Sequence, residues 1–344
     1  MQVCKKCVLP DTYPGITFDA EGVCNYCNEY VTREKEDASL HFSSEEELMK
    51  ALQNRKNPDG GYDCLLSASG GVDSSYTIIQ IVEHFKLKPL VWHNDHGYEH
   101  ETATNNVRKL CEALNIDLII WQHDYTYMKK LWKFVIESDI PGANTCFMCA
   151  NILYWNAVEL ADKFNINTII NGYSKGQVAF NKESGRNVIK EMINAMLASG
   201  DMDLFDWFLK KYEIMKKHKV YQRREDLVGN TEKRKILVVP FFIFDFYKTD
   251  KEKLKKICRE RFDWQQMEEG YPARTTNCVM NWLTTYADLQ KVNYSIYTDE
   301  YASLIRAGEF TRQQVLEDLE FNPPPGLLQR LAKEVGVQLD KRGK

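Results

Sequence analysis

Residues 67–77 read Ser-Ala-Ser-Gly-Gly-Val-Asp-Ser-Ser-Tyr-Thr and lie between the apolar run Cys64-Leu65-Leu66 and a segment with helical apolar spacing. A strand turning through Ser69-Gly70-Gly71-Val72-Asp73-Ser74-Ser75 into a helix gathers amide hydrogens and hydroxyls at the positive end of the helix dipole, which makes an anion site. The two glycines permit the turn and a close approach of backbone to phosphate. Ser69, Ser74 and Ser75 have hydroxyl hydrogens to donate, and Ser67 closes the strand that delivers them. A Walker loop needs a wider glycine spacing and a lysine, and a Rossmann loop needs three spaced glycines. Neither pattern is present, so the anion must be gripped in another way.

The second chemistry is sulfur. Cys4-Lys5-Lys6-Cys7 and Cys24-Asn25-Tyr26-Cys27 form two C-x-x-C knuckles a short loop apart, the spacing of a structural zinc ribbon with four thiolates. Zinc of this type supplies on the order of 10 kcal/mol, enough to fold a module with little core of its own. Cys146-Phe147-Met148-Cys149 stands just ahead of a helix read from about Ile152, and Thr275-Thr276-Asn277-Cys278 follows far downstream. Three cysteines would hold an iron–sulfur cubane with one iron free of protein ligands. A redox pair, a zinc site completed by a histidine, and unconnected thiols are the other readings. Cys64, Cys111 and Cys258 fall in apolar or helical contexts and read as small buried hydrophobes.

The elements that must position these residues follow from apolar spacing. Cys64 to Ser67, Pro89 to Trp92, Leu118 to Trp121 and Thr168 to Ile170 read as short strands. Helical repeats run between them through Ile78, Ile81, Val82 and Phe85, then Val107, Leu110, Cys111 and Leu114, then Ala157, Leu160, Ala161 and Phe164. This alternation predicts a doubly wound α/β fold, a parallel sheet with helices on both faces. Ser43-Ser44-Glu45-Glu46-Glu47 reads as a helix start, Thr311 to Gln314 as a capping box, and Pro323-Pro324-Pro325-Gly326 as a stop. The organisation predicted is a zinc-ribbon module and linker helix over 1–60, a nucleotide-binding core over 61–179, a helical insertion over 180–235, and the end of the core with a helical region over 236–344. The insertion's helical stretch, Val188 to Lys217, is expected over the sheet's carboxyl edge as a lid or a homodimer contact.

In this context the Ser-Gly-Gly-x-Asp-Ser loop resembles that of the PP-loop ATP pyrophosphatases, which cleave ATP between its α- and β-phosphates. The resemblance implies ATP with Mg2+, gripped by Ser67, Ser69, Gly70, Gly71, Val72, Asp73, Ser74 and Ser75. Asp73 and Ser74 would serve catalysis, Asp73 by orienting the loop or the magnesium. It also brings the end of the second strand, Asn94 and Asp95, to ribose, adenine or magnesium, a solvated loop being the alternative, and brings Asn171-Gly172-Tyr173-Ser174 to the nucleotide. The set Cys146, Cys149 and Cys278 resembles that of iron–sulfur-dependent thiolation enzymes in the same superfamily, which implies a 4Fe–4S cluster.

The opening block from Cys4 to Cys27, the SGGVDSS loop and the late Ala302-Ser303-Leu304-Ile305-Arg306-Ala307-Gly308-Glu309-Phe310-Thr311-Arg312 together resemble the N-acetyl sugar amidotransferases over nearly the whole chain. That likeness implies adenylylation of an amide oxygen on a nucleotide-linked N-acetyl sugar and its replacement by nitrogen, with ammonia from a separate glutaminase through a synthase-like partner. The alternative is a sulfurtransferase making a thioamide or thiocarbonyl on a small molecule or tRNA base. Arg306 and Arg312 are candidates for anionic substrate groups, with a solvated helix face as the other reading.

Composition agrees with an ordinary globular enzyme. The 344 residues are 44% hydrophobic, and 45 basic against 49 acidic side chains leave a formal charge of −4. A balance this small argues against a nucleic-acid or membrane surface without excluding a nucleic acid. The longest apolar run, Ile236 to Phe244, is broken by Pro240 and too short to span a bilayer. The N-terminus, MQVCKKCVLP, lacks an apolar signal core, so a cytoplasmic location is expected.

Overall fold

The computed structural model describes residues 2–30, 44–140, 142–172, 182–218, 220–221, 236–240, 251–272 and 277–339. Six strands form one sheet: β1 (Cys64–Ser67), β2 (Pro89–Asp95), β3 (Leu118–Gln122), β4 (Thr168–Asn171), β5 (Val220–Tyr221) and β6 (Ile236–Pro240). Their order is β3-β2-β1-β4-β6-β5, and the pairings are parallel. Parallel strands need crossovers, and helices supply them. Before and among the first strands lie α1 (Asn25–Asn28), α2 (Glu45–Gln53), α3 (Val72–Glu83), α4 (Glu101–Leu114) and α5 (Tyr125–Glu137). Then come α6 (Thr145–Lys163), α7 (Lys182–Ser199), α8 (Met202–Lys217) and α9 (Lys251–Phe262). The last third holds α10 (Asn281–Val292), α11 (Ile296–Arg306), α12 (Arg312–Asp318) and α13 (Leu327–Val335).

Successive residues of the central strands join different cores, because a strand's side chains alternate between faces. Leu66, Val91, Ile170 and Val239 pack with α3, α4 and α9. Leu65, Leu90, Trp92, Ile169 and Val238 pack with Ala157, Val158, Leu160 and Ala161 of α6. Both faces are therefore covered, as the doubly wound pattern requires. A third core built from helices surrounds Trp132, Met148, Trp155, Phe208 and Trp282.

Several expectations need adjusting. The helical stretch Val188 to Lys217 is helical as expected and is divided between two helices, α7 and α8. Gly200 takes φ +78, and Asp201 caps α8 by accepting from the Leu204 amide at 3.1 Å. Val188, Met192, Met196, Leu204 and Phe208 pack with side chains of α5 and α6, which makes this pair part of the helical core. α6 starts at Thr145 rather than near Ile152, because the Asn144 side chain accepts from the Phe147 amide at 2.7 Å. β2 extends through Asp95, beyond the predicted end at Trp92. The Ser44 and Thr311 caps stand as predicted. Of the apolar run 236–244, the described part is β6, and Tyr173, Ser174, Thr275 and Thr276 lie outside the described residues. Among the described residues, no helix is long and apolar enough to cross a membrane.

Candidate active site

The strand order turns back between β1 and β4, the point where open α/β sheets bind ligands beyond their carboxyl ends. β1 ends at Ser67, and the chain turns through Ala68-Ser69-Gly70 before Gly71 caps α3. Gly70 takes φ +77, and a Cβ there would collide with the Ala103 carbonyl of α4. The loop's carbonyls are tied from outside. Trp264 Nε1 and Asn106 Nδ2 donate to the Gly70 carbonyl at 2.9 and 3.1 Å, and Asn277 Nδ2 donates to that of Ser69. Inside the loop, the Ser69 and Ser74 hydroxyl oxygens lie 3.0 Å apart, and Ser74 Oγ donates to the Gly71 carbonyl at 3.1 Å. The first amide hydrogens of α3 have no intrahelical acceptor, as in any helix, and stay available to an anion.

The turn opens onto a cavity of about 410 Å³, within the roughly 300–1,000 Å³ typical of small-molecule sites. Ser67, Ser69, Gly71, Val72, Asp73 and Ser74 line it from the loop, Asn94 from β2, and Asn171 and Gly172 from the end of β4. Asp73 Oδ1 is buried without a hydrogen-bond partner, a free carboxylate oxygen of the kind magnesium takes. Three expected residues do not line the cavity. Ser75 is buried in α3 and Gly70 provides the close approach to α4, and neither lines the cavity. Asp95 accepts from the Gly97 amide at 2.9 Å and from Tyr125 Oη at 3.0 Å, closing the turn after β2. A Cβ on Gly172 would come within 2.6 Å of Thr77 Oγ1, so glycine lets β4 pass the first turns of α3.

Sequence reasoning missed two cations of the same cavity. Lys251 and Lys255, one turn apart on α9, line it, and Lys251 Nζ lies 3.5 Å from Asp73 Oδ2. They are far along the chain from the loop, and no spacing within one element links them to it.

Cys146, Cys149 and Cys278 all line this cavity. Cys146 and Cys149 lie in the first turns of α6, three residues apart and so on one helix face. Cys278 arrives through a two-residue antiparallel bridge with Glu99, reinforced by the Val279 amide donating to the Tyr98 carbonyl at 3.0 Å. Burial pushes Cys146 and Cys149 up to about 12. Burial also raises Cys278, and nearby His96 opposes this. His96 Nε2 lies 2.9 Å from Glu99 Oε1. Burial works against charge on His96, yet Cys278 and Glu99 hold the imidazolium well above the ordinary histidine range. Among the described residues, the group of His, Cys, Asp or Glu with ligand atoms within 4.8 Å of one another is the N-terminal one. The cavity thiols are thus spread wider than a single tetrahedral ion requires. Three thiols around one void are a donor set of the kind that would suit a multi-iron cluster.

The N-terminal set is compact. Cys4 and Cys27 sulfurs lie 3.9 Å apart, and those of Cys7 and Cys24 lie 3.8 Å apart. A tetrahedron with Zn–S bonds of about 2.3 Å has edges of about 3.8 Å, so the set fits zinc. Amides of Cys7, Leu9 and Cys24 point at the sulfurs at 3.3–3.5 Å, stabilising thiolate charge. The bond from Cys27 holds Cys7 down to about 5, whereas burial pushes Cys24 up to about 11. Four protein ligands leave no open position, and the module packs on Tyr301, Ala302 and Val315 of α11 and α12. Arg312 is tied to this module: its Nε donates to the carbonyls of Cys7 at 2.8 Å and Cys4 at 3.3 Å. Arg306 does not line the cavity, and its Nη1 is buried without a hydrogen-bond partner.

No family model matches the sequence. A protein of Methanocaldococcus jannaschii described as uncharacterized protein MJ1599 is 24% identical over 297 residues, which cover 86% of this chain and 84% of that protein. The NH3-dependent NAD synthetase from Campylobacter jejuni, solved in complex with nitrate, is similar at 13% identity and TM-score 0.32, over 49% of this chain and 91% of that one. The U34-tRNA thiolase NcsA from Methanococcus maripaludis, solved with its 4Fe–4S cluster, is similar at 13% identity and TM-score 0.36, over 99% and 91%. The NMN synthetase from Francisella tularensis is similar at 11% identity and TM-score 0.38, over 88% and 100%.

Proposed function

We propose that the protein is an ATP pyrophosphatase of the PP-loop kind that adenylylates a carbonyl or amide oxygen of a small-molecule acceptor and then replaces that oxygen with nitrogen. The observation that carries the first step is the turn from Ser69 to Ser74, whose Ser69 and Gly70 carbonyls are tied outward while Ser69, Ser74 and the helix start line the carboxyl-end cavity. The acceptor oxygen attacks the α-phosphorus, the bond to the bridging oxygen breaks, and pyrophosphate leaves into the turn. Ammonia then adds to the activated carbon, and AMP departs with the original oxygen. Adenylylation turns a poor leaving group into a good one, and preorganised donors stabilise the charge that develops on the diphosphate. Asp73 Oδ1 would hold Mg2+, whose contribution is neutralisation of phosphate charge.

The nitrogen reading is supported by the joint packing of two segments that carry the likeness to N-acetyl sugar amidotransferases. The Cys4–Cys27 block and the 302–312 block fold into one unit, bonded through Arg312. The four N-terminal thiolates take a structural zinc in this reading. Ammonia comes from a glutaminase partner, and the acceptor is a nucleotide-linked N-acetyl sugar. A second reading, sulfur transfer, is favoured by the convergence of Cys146, Cys149 and Cys278 on the same cavity.

The test is purification without oxygen, metal analysis, and AMP formation with ammonium or sulfide as the second substrate. Ammonium-dependent AMP release that survives Cys278→Ala supports nitrogen. About four irons per chain, lost together with sulfide-dependent turnover in Cys278→Ala, establishes sulfur in its place.

A further inference from the structure

We propose that Lys251 and Lys255 supply the cations the loop lacks, binding the departing diphosphate, with Lys251 parked on Asp73 until that anion arrives. The inference rests on the ATP pyrophosphatase reading above. Its starting point is a charge imbalance. Asp73 and Glu99 are the carboxylates lining the cavity, and the turn offers a diphosphate only amides and hydroxyls. His93 is committed to the Ala68 carbonyl at 2.8 Å and Thr104 Oγ1 at 3.0 Å, and His96 to Glu99. Among the described lining residues, the remaining cationic side chains are the two lysines.

Their position is fixed by the core. Leu254, Cys258 and Phe262 of α9 are buried in the cluster that includes Val72, Tyr76 and Ile79 of α3. Residues 251 and 255 lie one turn apart on one face of α9, so both lysines are carried to the same end of the cavity. That end is the phosphate end, because Asp73 is the second residue of the helix that follows the turn. The Lys251–Asp73 pair is loose, at 3.5 Å with the two side chains 39% and 24% exposed. Pairs so exposed contribute little and exchange readily. A diphosphate carries more charge than one carboxylate and more acceptor oxygens, and so outcompetes Asp73 for the ammonium group. Lys255 pairs with Glu252 at 2.7 Å, a residue 66% exposed, and is likewise free to change partner.

The experiment is isothermal titration calorimetry of the full chain with inorganic pyrophosphate and, separately, with AMP. The proteins are the wild type, Lys251→Met, Lys255→Met and Lys251→Arg. Each Met variant is expected to weaken pyrophosphate about tenfold to a hundredfold, the range of a hydrogen bond to a charged group. AMP affinity stays at the wild-type value in all of them, and Lys251→Arg retains most of the pyrophosphate affinity. Met variants that bind pyrophosphate like the wild type overturn the inference alone, and so do Met variants that lose AMP and pyrophosphate in equal measure. A wild-type protein that takes up no pyrophosphate removes the ATP pyrophosphatase reading and this inference with it.

Discussion

Replacing Gly70 by alanine tests whether the turn is a rigid cradle. Gly70 sits at φ +77, which costs an L-residue about 1–2 kcal/mol. Its new methyl would meet the Ala103 carbonyl, and overpacking of this kind costs about 1–3 kcal/mol. The backbone has little freedom to yield, because the Gly70 carbonyl is held by Trp264 and Asn106. The two costs together come to about 2–5 kcal/mol, a large share of the roughly 5–15 kcal/mol that stabilises a typical domain. Gly71→Ala is the matched control. Gly71 has φ −74 and its nearest foreign atom, Ser69 Oγ, lies 3.4 Å from a built Cβ, so stability should stay within about 0.5 kcal/mol. The methyl would instead face the cavity, where the phosphate is to lie. Urea unfolding followed by tryptophan fluorescence, with pyrophosphate titrations alongside, separates the two. Gly70→Ala should lose stability, and Gly71→Ala should lose pyrophosphate while unfolding like the wild type. The opposite pattern, or no stability loss in Gly70→Ala, would refute the pinned-turn argument.

Cys7→Ser should abolish zinc binding at the N-terminal set, detected by metal analysis, and lower the thermal midpoint, because a bound structural metal adds its binding free energy to folding. Arg312→Met should weaken zinc about 10–100-fold in a chelator competition by removing the donor to the Cys4 and Cys7 carbonyls. His123 is buried beside Asn94 and Asn156, and burial, then His96 and Lys211, lower it to about 4. The unfolded chain therefore binds the proton that the folded chain refuses. Stability should fall as pH drops from about 6.5 towards 4, by at most about 1.4 kcal/mol per unit from this group. Urea midpoints across that window should flatten in His123→Gln, and an unchanged slope would count against a neutral buried imidazole.

The parts of the fold legible in the sequence were those dictated locally. Apolar runs such as Leu65-Leu66 and Ile169-Ile170 mark strands covered on both faces, and the serine–glycine turn marks the point where a strand gives way to a helix start at the cavity. Some signals were present and misread. Asn144 is a good N-cap, and reading it as one places Cys146 and Cys149 inside α6. Continuing β2 past Trp92 brings His93 and Asn94 to the cavity and leaves Asp95 to close the next turn. Other features had no local signature. Lys251 and Lys255 matter because α9 packs on α3, and Arg312 because α12 lies against the cysteine module. Contacts between segments so far apart in the chain are set by tertiary packing, which spacing within one element does not encode.

The seat of the cysteine module has a consequence for how the protein is made. Val8, Leu9 and the four thiols rest on Tyr301, Ala302 and Val315, and Tyr13 donates to Asp299 at 2.8 Å. Residues 4–27 are made before residues 301–315, so their apolar side waits for that later segment to be covered. During synthesis that side is exposed to other nascent chains. Early capture of zinc would keep the waiting segment folded, so metal starvation should appear first as aggregation of new protein rather than as failure of molecules already complete.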